Sequence, residues 1–204
     1  MTDGVHRFYR ERVPEQFNRA LEETLRTEGD EGRNYQGLIA VHDTIEVRVD
    51  ELPGSPFHLN IDAGRMTAGD RGSHEPFLIL LHDAAACEAI ERESGESALG
   101  FLGGMAGLNQ EIRLTQLRVD KLRQVNGTVG LTLDGPGGFS LCAHFGGGTP
   151  ASSPACELVI DGSIYGSLRS GEIDPQEAFM NGKIEIGGDM QIAMQLALAM
   201  MSPD

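Results

Sequence analysis

The sequence predicts an α+β fold, an antiparallel-dominated sheet covered by helices and present as two diverged tandem copies. Three observations predict it. Segments that alternate apolar and polar residues at the two-residue period of a strand are interleaved with segments of helical period. Turns rich in glycine and proline separate them. The order of elements in the first half also returns in the second at a nearly constant spacing.

Pro14 suits the first turn of a helix, and Phe17, Leu21 and Leu25 then recur at i, i+4, i+8 up to a stop near Gly29. After a polar stretch, Gly37–Val49 is β-rich, with Ile45, Val47 and Val49 alternating with Glu46 and Arg48. Leu52-Pro53-Gly54-Ser55 turns the chain into a second alternating run, Phe57 to Ile61, which completes a hairpin ending at Gly64. A polar loop is expected through Gly72, then a short central strand over Phe77–Leu81. Asp83–Gly104 reads as helix, broken near Ser94-Gly95.

A second amphipathic helix places Leu114, Leu117, Leu122 and Val125 on one face. Val129, Leu131 and Leu133 alternate, Asp134 to Gly138 turns, and Phe139, Leu141, Ala143 and Phe145 alternate again. Pro76–His82 before Asp83 and Pro154–Ile160 before Asp161 stand 78 residues apart, as do Phe101-Leu102-Gly103-Gly104 and Phe179-Met180-Asn181-Gly182. Upstream, Phe57-x-Leu59 aligns with Phe139-x-Leu141. The expectation is an ancient duplication, with a degenerate copy at 1–108 and a better kept one at 109–204.

The most informative stretch runs from Gly171 to Met201. Asp174 can cap a short helix that begins with Pro175, carries Glu177 at its third position and includes Phe179 and Met180. Gly182 ends it, Lys183–Ile186 alternates, and Gly187-Gly188 leads to Asp189, the cap of a last helix. In that helix the polar residues Gln191 and Gln195 share one narrow stripe, so its apolar surface exceeds the roughly 100° a sheet needs to bury. The excess must meet a ligand, a second subunit or the other half of the chain.

A short helix opened by acidic-Pro before Ala-Phe-Met-x-Gly-Lys, an alternating strand, Gly-Asp and a Met/Leu-rich helix resembles the sterol carrier protein type 2 family. The resemblance is strongest over residues 125–201 and faint in the first half. It implies a sheet of about five strands covered by helices on one face, around an apolar tunnel for a sterol, fatty acid, acyl-CoA or phospholipid. It also implies that the terminal helix and the Phe179/Met180 helix border the tunnel. Leu131, Leu141, Leu158, Phe179, Met180, Met190, Met194 and Leu198 are the residues expected to line or gate it. In the first half, Gly104–Glu111 loses the strand alternation and the Gly-Asp turn, so that copy is expected to lack its last strand and to pack on the second.

Composition bounds the partners. A formal net charge of -15 repels nucleic acid and anionic lipid headgroups. No run approaches the roughly 20 apolar residues of a membrane span, and Met1–Arg7 holds no apolar leader core, so a cytoplasmic protein is expected. Cys87, Cys142 and Cys156 fit neither a CxxC pair nor a zinc site. His42-Asp43 and His82-Asp83 lack the further ligands that metal chemistry needs. Gly146-Gly147-Gly148 lacks the lysine and spacing of a phosphate loop, and is read as a loop flanking the tunnel mouth. Cys142 with His144 is weighed as a nucleophile pair and set aside for buried thiols, with Cys142 and Cys156 on adjacent strands. The expectation is a non-catalytic carrier of an apolar ligand, without cofactor or metal, and a homodimer through the C-terminal helix. A pocketless scaffold on the same fold is the competing reading, and an enzyme acting on a lipid-like substrate ranks last.

Overall fold

Alternation over Asp43–Val49 (β1) and Phe57–Asp62 (β2) produces the expected hairpin, with Val47 opposite Phe57 and Ile45 opposite Leu59. The computed structural model describes residues 2–94 and 113–200. Further strands are Arg65–Gly69 (β3), Leu78–His82 (β4), Gly127–Asp134 (β5), Phe139–Phe145 (β6), Cys156–Asp161 (β7) and Ile184–Gly188 (β8). They form one eight-stranded sheet in the order β3-β2-β1-β4-β6-β5-β7-β8. Among the described residues, only β1–β4 and β5–β7 are parallel pairs.

The two halves share a strand order. The order β2-β1-β4 in the first half matches β6-β5-β7 in the second, with the same antiparallel and parallel relations. Beside β7 lies antiparallel β8, and beside β4 lies antiparallel β6, so a strand of the second half completes the first. The pairings Ile45–Leu78 and Val129–Cys156 keep the offset of 78 for β4 and β7. Leu59 opposite Ile45 then corresponds to Ala143 opposite Val129, which shifts the hairpin alignment by two residues from the one read in the sequence.

The helices are Thr2–Arg7 (α1), Val13–Glu28 (α2), Arg33–Ile39 (α3), Ala84–Ser94 (α4), Gln116–Val125 (α5), Gly162–Ser170 (α6), Pro175–Met180 (α7) and Met190–Met200 (α8), with a π-helical turn over Phe8–Arg12 between α1 and α2. They cover the sheet face that carries Ile45, Val47, Leu80, Leu131, Leu141 and Ile160, and one continuous core joins both halves. The opposite face bears Glu46, His58, Cys142, His144 and Thr128. Loops partly close that face: His74 N–H donates to Thr44 Oγ1, Ala151 N–H donates to Thr128 Oγ1, and Pro154 lies 3.2 Å from where a Gly130 Cβ would stand.

Several expectations need correction. The start of the expected β-rich run, residues 37–39, is instead the end of helix α3, because Leu38 buries and Gly37 approaches Thr115 so closely that a Cβ would meet Cγ2 at 3.1 Å. The loop expected before Gly72 contains β3, formed by a two-residue turn in which Ala63 and Gly64 both take positive φ. Its single large apolar residue, Met66, gave too little alternation to reveal it. Cys142 and Cys156 are not on adjacent strands, since β5 separates β6 from β7. The Gly146–Pro154 loop packs on the sheet face opposite the helices. The expected helix beyond Ser94, the Gly104–Glu111 segment and the 108/109 boundary lie outside the described residues.

Candidate ligand-binding surface

The last helix, α8, is started by Asp189, whose Oδ1 accepts the Gln191 N–H at 2.9 Å. Ala193, Leu196, Ala199 and Met200 recur at helical spacing and pack onto β5, β7 and α5. Close approach at one end depends on Gly127, where a Cβ would stand 3.0 Å from Ile192 Cδ1. The other side of α8 carries Met190, Met194 and Leu198 at i, i+4, i+8, and these are 44%, 60% and 67% exposed. Asp174 caps α7 through the Glu177 N–H (3.2 Å); Ala178 buries, whereas Phe179 and Met180 are 41% and 76% exposed. Among the described residues, five of the seven exposed large hydrophobic ones therefore fall between residues 179 and 198.

Half-buried apolar side chains continue this surface. Leu158 of β7 and Ile184 and Ile186 of β8 lie on the helix-bearing face, joined by Ile164, Ile173 and Ile192. Leu131 and Leu141, by contrast, are 3% exposed and packed among core neighbours. The eight expected residues thus divide into two core positions, one half-buried position, and five on α7 and α8 that face outward. The half-buried isoleucines were not named from the sequence, although the alternation of Lys183–Ile186 already put Ile184 and Ile186 on one face.

Acidic side chains surround the surface: Glu172, Asp174, Glu177, Glu185 and Asp189 are exposed, with Lys183 among them. Lys183 Nζ donates to Asp161 Oδ2 at 2.6 Å, and with the Ser163 hydrogen bond this holds the Asp161 carboxyl well below the usual carboxylate range. A separate cleft of about 320 Å³ lies between the β5–β6 turn and the first turn of α6, lined by Arg92, Asp134, Tyr165 and glycine backbone. It shares no residue with the apolar stripe.

The His-Asp pairs take structural positions. His42 meets Asp62 at 2.6 Å, while Asp43 accepts from Arg123 at 2.6 Å and ties β1 to α5. His82 donates from Nδ1 to the Asp83 carbonyl (2.7 Å), so its Nε2 accepts from the buried Tyr9 hydroxyl (2.6 Å). Burial lowers the His82 pKa and raises those of Tyr9 and Cys87, the thiol to about 11. No group of three or more His, Cys, Asp or Glu residues with metal-binding geometry exists among the described residues. His144, on the same face as Cys142, bonds to Thr128 Oγ1 at 2.9 Å.

Against known families, the model of the SCP-2 sterol transfer family matches residues 108–200. Over that segment the chain is similar to the SCP-2 sterol transfer family. The SCP-2 segment contains α5 to α8 and β5 to β8 and accounts for just under half of the chain. Solved structures that the chain resembles include sterol carrier protein 2 from Yarrowia lipolytica in its apo form, at 18% identity over 52% of this chain and 92% of that one, with a TM-score of 0.33. The sterol carrier protein domain 2 of Helicoverpa armigera is 28% identical over 42% of this chain and 77% of that one, with a TM-score of 0.30. A UbiJ-SCP2 ubiquinone synthesis protein is 22% identical over 56% and 94%, with a TM-score of 0.32. No curated protein sequence matches the chain. Among the described residues no helix is long and apolar enough to cross a membrane.

Proposed function

We propose that the chain binds or transfers an apolar ligand (a sterol, fatty acid, acyl-CoA or other lipid) without catalysis, and that α7, β8 and α8 form the walls of its site. The observation that carries this reading is the concentration of exposed Phe179, Met180, Met190, Met194 and Leu198 within the SCP-2 segment, next to half-buried Leu158, Ile184 and Ile186. A surface of this kind is costly to leave in water, since burial is worth about 25 cal/mol per Å² of apolar area. Methionine suits ligands of varied shape because its side chain is flexible and polarisable. Within that range the acidic rim disfavours a ligand such as acyl-CoA whose multiply anionic head would stay exposed beside it.

The same reading treats the halves as diverged copies, supported by the shared strand order and by the offset of 78 between β4 and β7. The charge-free stripe from Met190 to Met200 also suits a second copy of the chain as a cover. A pocketless interaction module is the second reading, favoured by the packing of Leu131 and Leu141 into the core. Titration with a fluorescent fatty acid separates these readings. Saturable binding at one site per chain supports the carrier, whereas no saturable binding, together with no lipid extracted from the purified protein, supports the module.

A further inference from the structure

The two edges of the sheet are finished differently. At β3, the Asn18 carboxamide donates to the Met66 carbonyl (2.9 Å) and accepts the Met66 N–H (2.8 Å), occupying both backbone groups of that edge residue. At β8, the Asp161 N–H donates to the Lys183 carbonyl (3.0 Å) and the Asp189 N–H to the Ala155 carbonyl (2.8 Å). Odd-numbered residues of β8 therefore bond inward to β7. By the alternation of an antiparallel ladder, Ile184, Ile186 and Gly188 turn their N–H and C=O groups outward, and no hydrogen bond reaches those groups among the described residues.

We propose that β8 pairs antiparallel with β8 of a second copy, centred on Ile186, so that two eight-stranded sheets join into one. The sequence Lys183-Ile184-Glu185-Ile186-Gly187-Gly188-Asp189 is self-complementary in this register. Ile186 meets Ile186, Ile184 meets Gly188, and Glu185 meets the side-chain-free Gly187, so no like charges oppose. Lys183, which bonds to Asp161 in the single chain, falls opposite Asp189 of the second copy, twice across the two-fold axis. A pairing centred on Glu185 would instead set that carboxylate against its own copy. Ile184 and Ile186, half-buried in the single chain, complete their burial in the pair. The chain already uses this arrangement internally, where β6 of the second half closes the β4 edge of the first.

Sedimentation velocity of the full chain across a wide concentration range tests the pairing. The expected result is a shift to a species of twice 22.0 kDa. Ile186→Pro removes an outward donor while leaving the β7 ladder intact and is expected to hold the chain at monomer mass. Lys183→Glu is expected to weaken the dimer about tenfold, from cross-strand charge pairs worth roughly 0.2–1 kcal/mol each, and Lys183→Glu with Asp189→Lys to restore it. That restoration is not expected from a variant that merely folds poorly. In a Cys142→Ser background, Ile186→Cys should form a disulfide-linked dimer on oxidation, because hydrogen-bonded antiparallel partners stand about 5.5 Å apart at Cα. A monomer at every concentration overturns the proposal, as does a dimer that survives Ile186→Pro or an Ile186→Cys chain that does not cross-link.

Discussion

Met194→Asp tests the ligand surface at its centre. Met194 is 60% exposed on α8, so its replacement removes little folded-state packing, and global stability should change by less than about 0.5 kcal/mol. In the ligand complex the same side chain is covered. Full burial of a methionine is worth about 1.5–3 kcal/mol, and the exposed fraction leaves roughly 1–2 kcal/mol of that to be gained from the ligand. Losing it lowers affinity about 5- to 30-fold, and the new carboxylate, which must be desolvated against an apolar chain, lowers it further. Fluorescent fatty acid titrations of wild type and variant measure the loss, with urea melts confirming the fold. Leu25→Asp serves as the control, because Leu25 is 38% exposed on α2, outside the SCP-2 segment. Unchanged affinity in a folded Met194→Asp chain, or an equal loss from Leu25→Asp, refutes the assignment of the site to α8.

The remaining predictions concern the buried groups of the first half. His82 has its pKa lowered by burial, so its neutral form contributes stability that is complete above pH about 6.5 and is lost as the pH falls below that value. Urea melts from pH 8 to pH 5 should show a steeper loss in wild type than in His82→Gln, and parallel losses contradict the role of the ring. Tyr9→Phe leaves His82 Nε2 without its 2.6 Å partner and should cost about 1–3 kcal/mol at neutral pH, read from the same melts. Thiol titration at pH 8 should modify half-exposed Cys142 first, while Cys87, with its pKa pushed to about 11, and fully buried Cys156 react only on unfolding. Early labelling of Cys87 contradicts the packing of Tyr9 over it.

Much of the second half was legible because its local signals agree with its tertiary fate. Asp174-Pro175 and Asp189 cap the helices they were expected to cap, and the alternation of Val129–Leu133 and Phe139–Phe145 forms strands β5 and β6. The first half was less legible, since long-range packing decides its elements. Residues 37–39 look extended by composition but end a helix under the pull of Leu38 into the core and Gly37 against Thr115. Val5, Phe8 and Tyr9 bury beside Phe57 and His82, yet the charged residues among them hide their spacing, and a π-helical turn breaks the period. At the site, hydrophobicity marked the correct helices but not which way each side chain faces. Leu131 and Leu141 are as apolar as Leu198, and only the sheet register and the placing of α8 separate buried from exposed.

Methionine methyl NMR measures the central claim most directly. With [methyl-¹³C]methionine in the full chain, added fatty acid should shift the signals of Met180, Met190 and Met194 together and to saturation, because these methyls lie on the exposed apolar surface. Met66, 1% exposed under α2 in the other half, should not move. Saturable shifts at Met66 with none at the three exposed methionines, or no saturable shift at any of them, contradict the placing of the ligand on α7, β8 and α8.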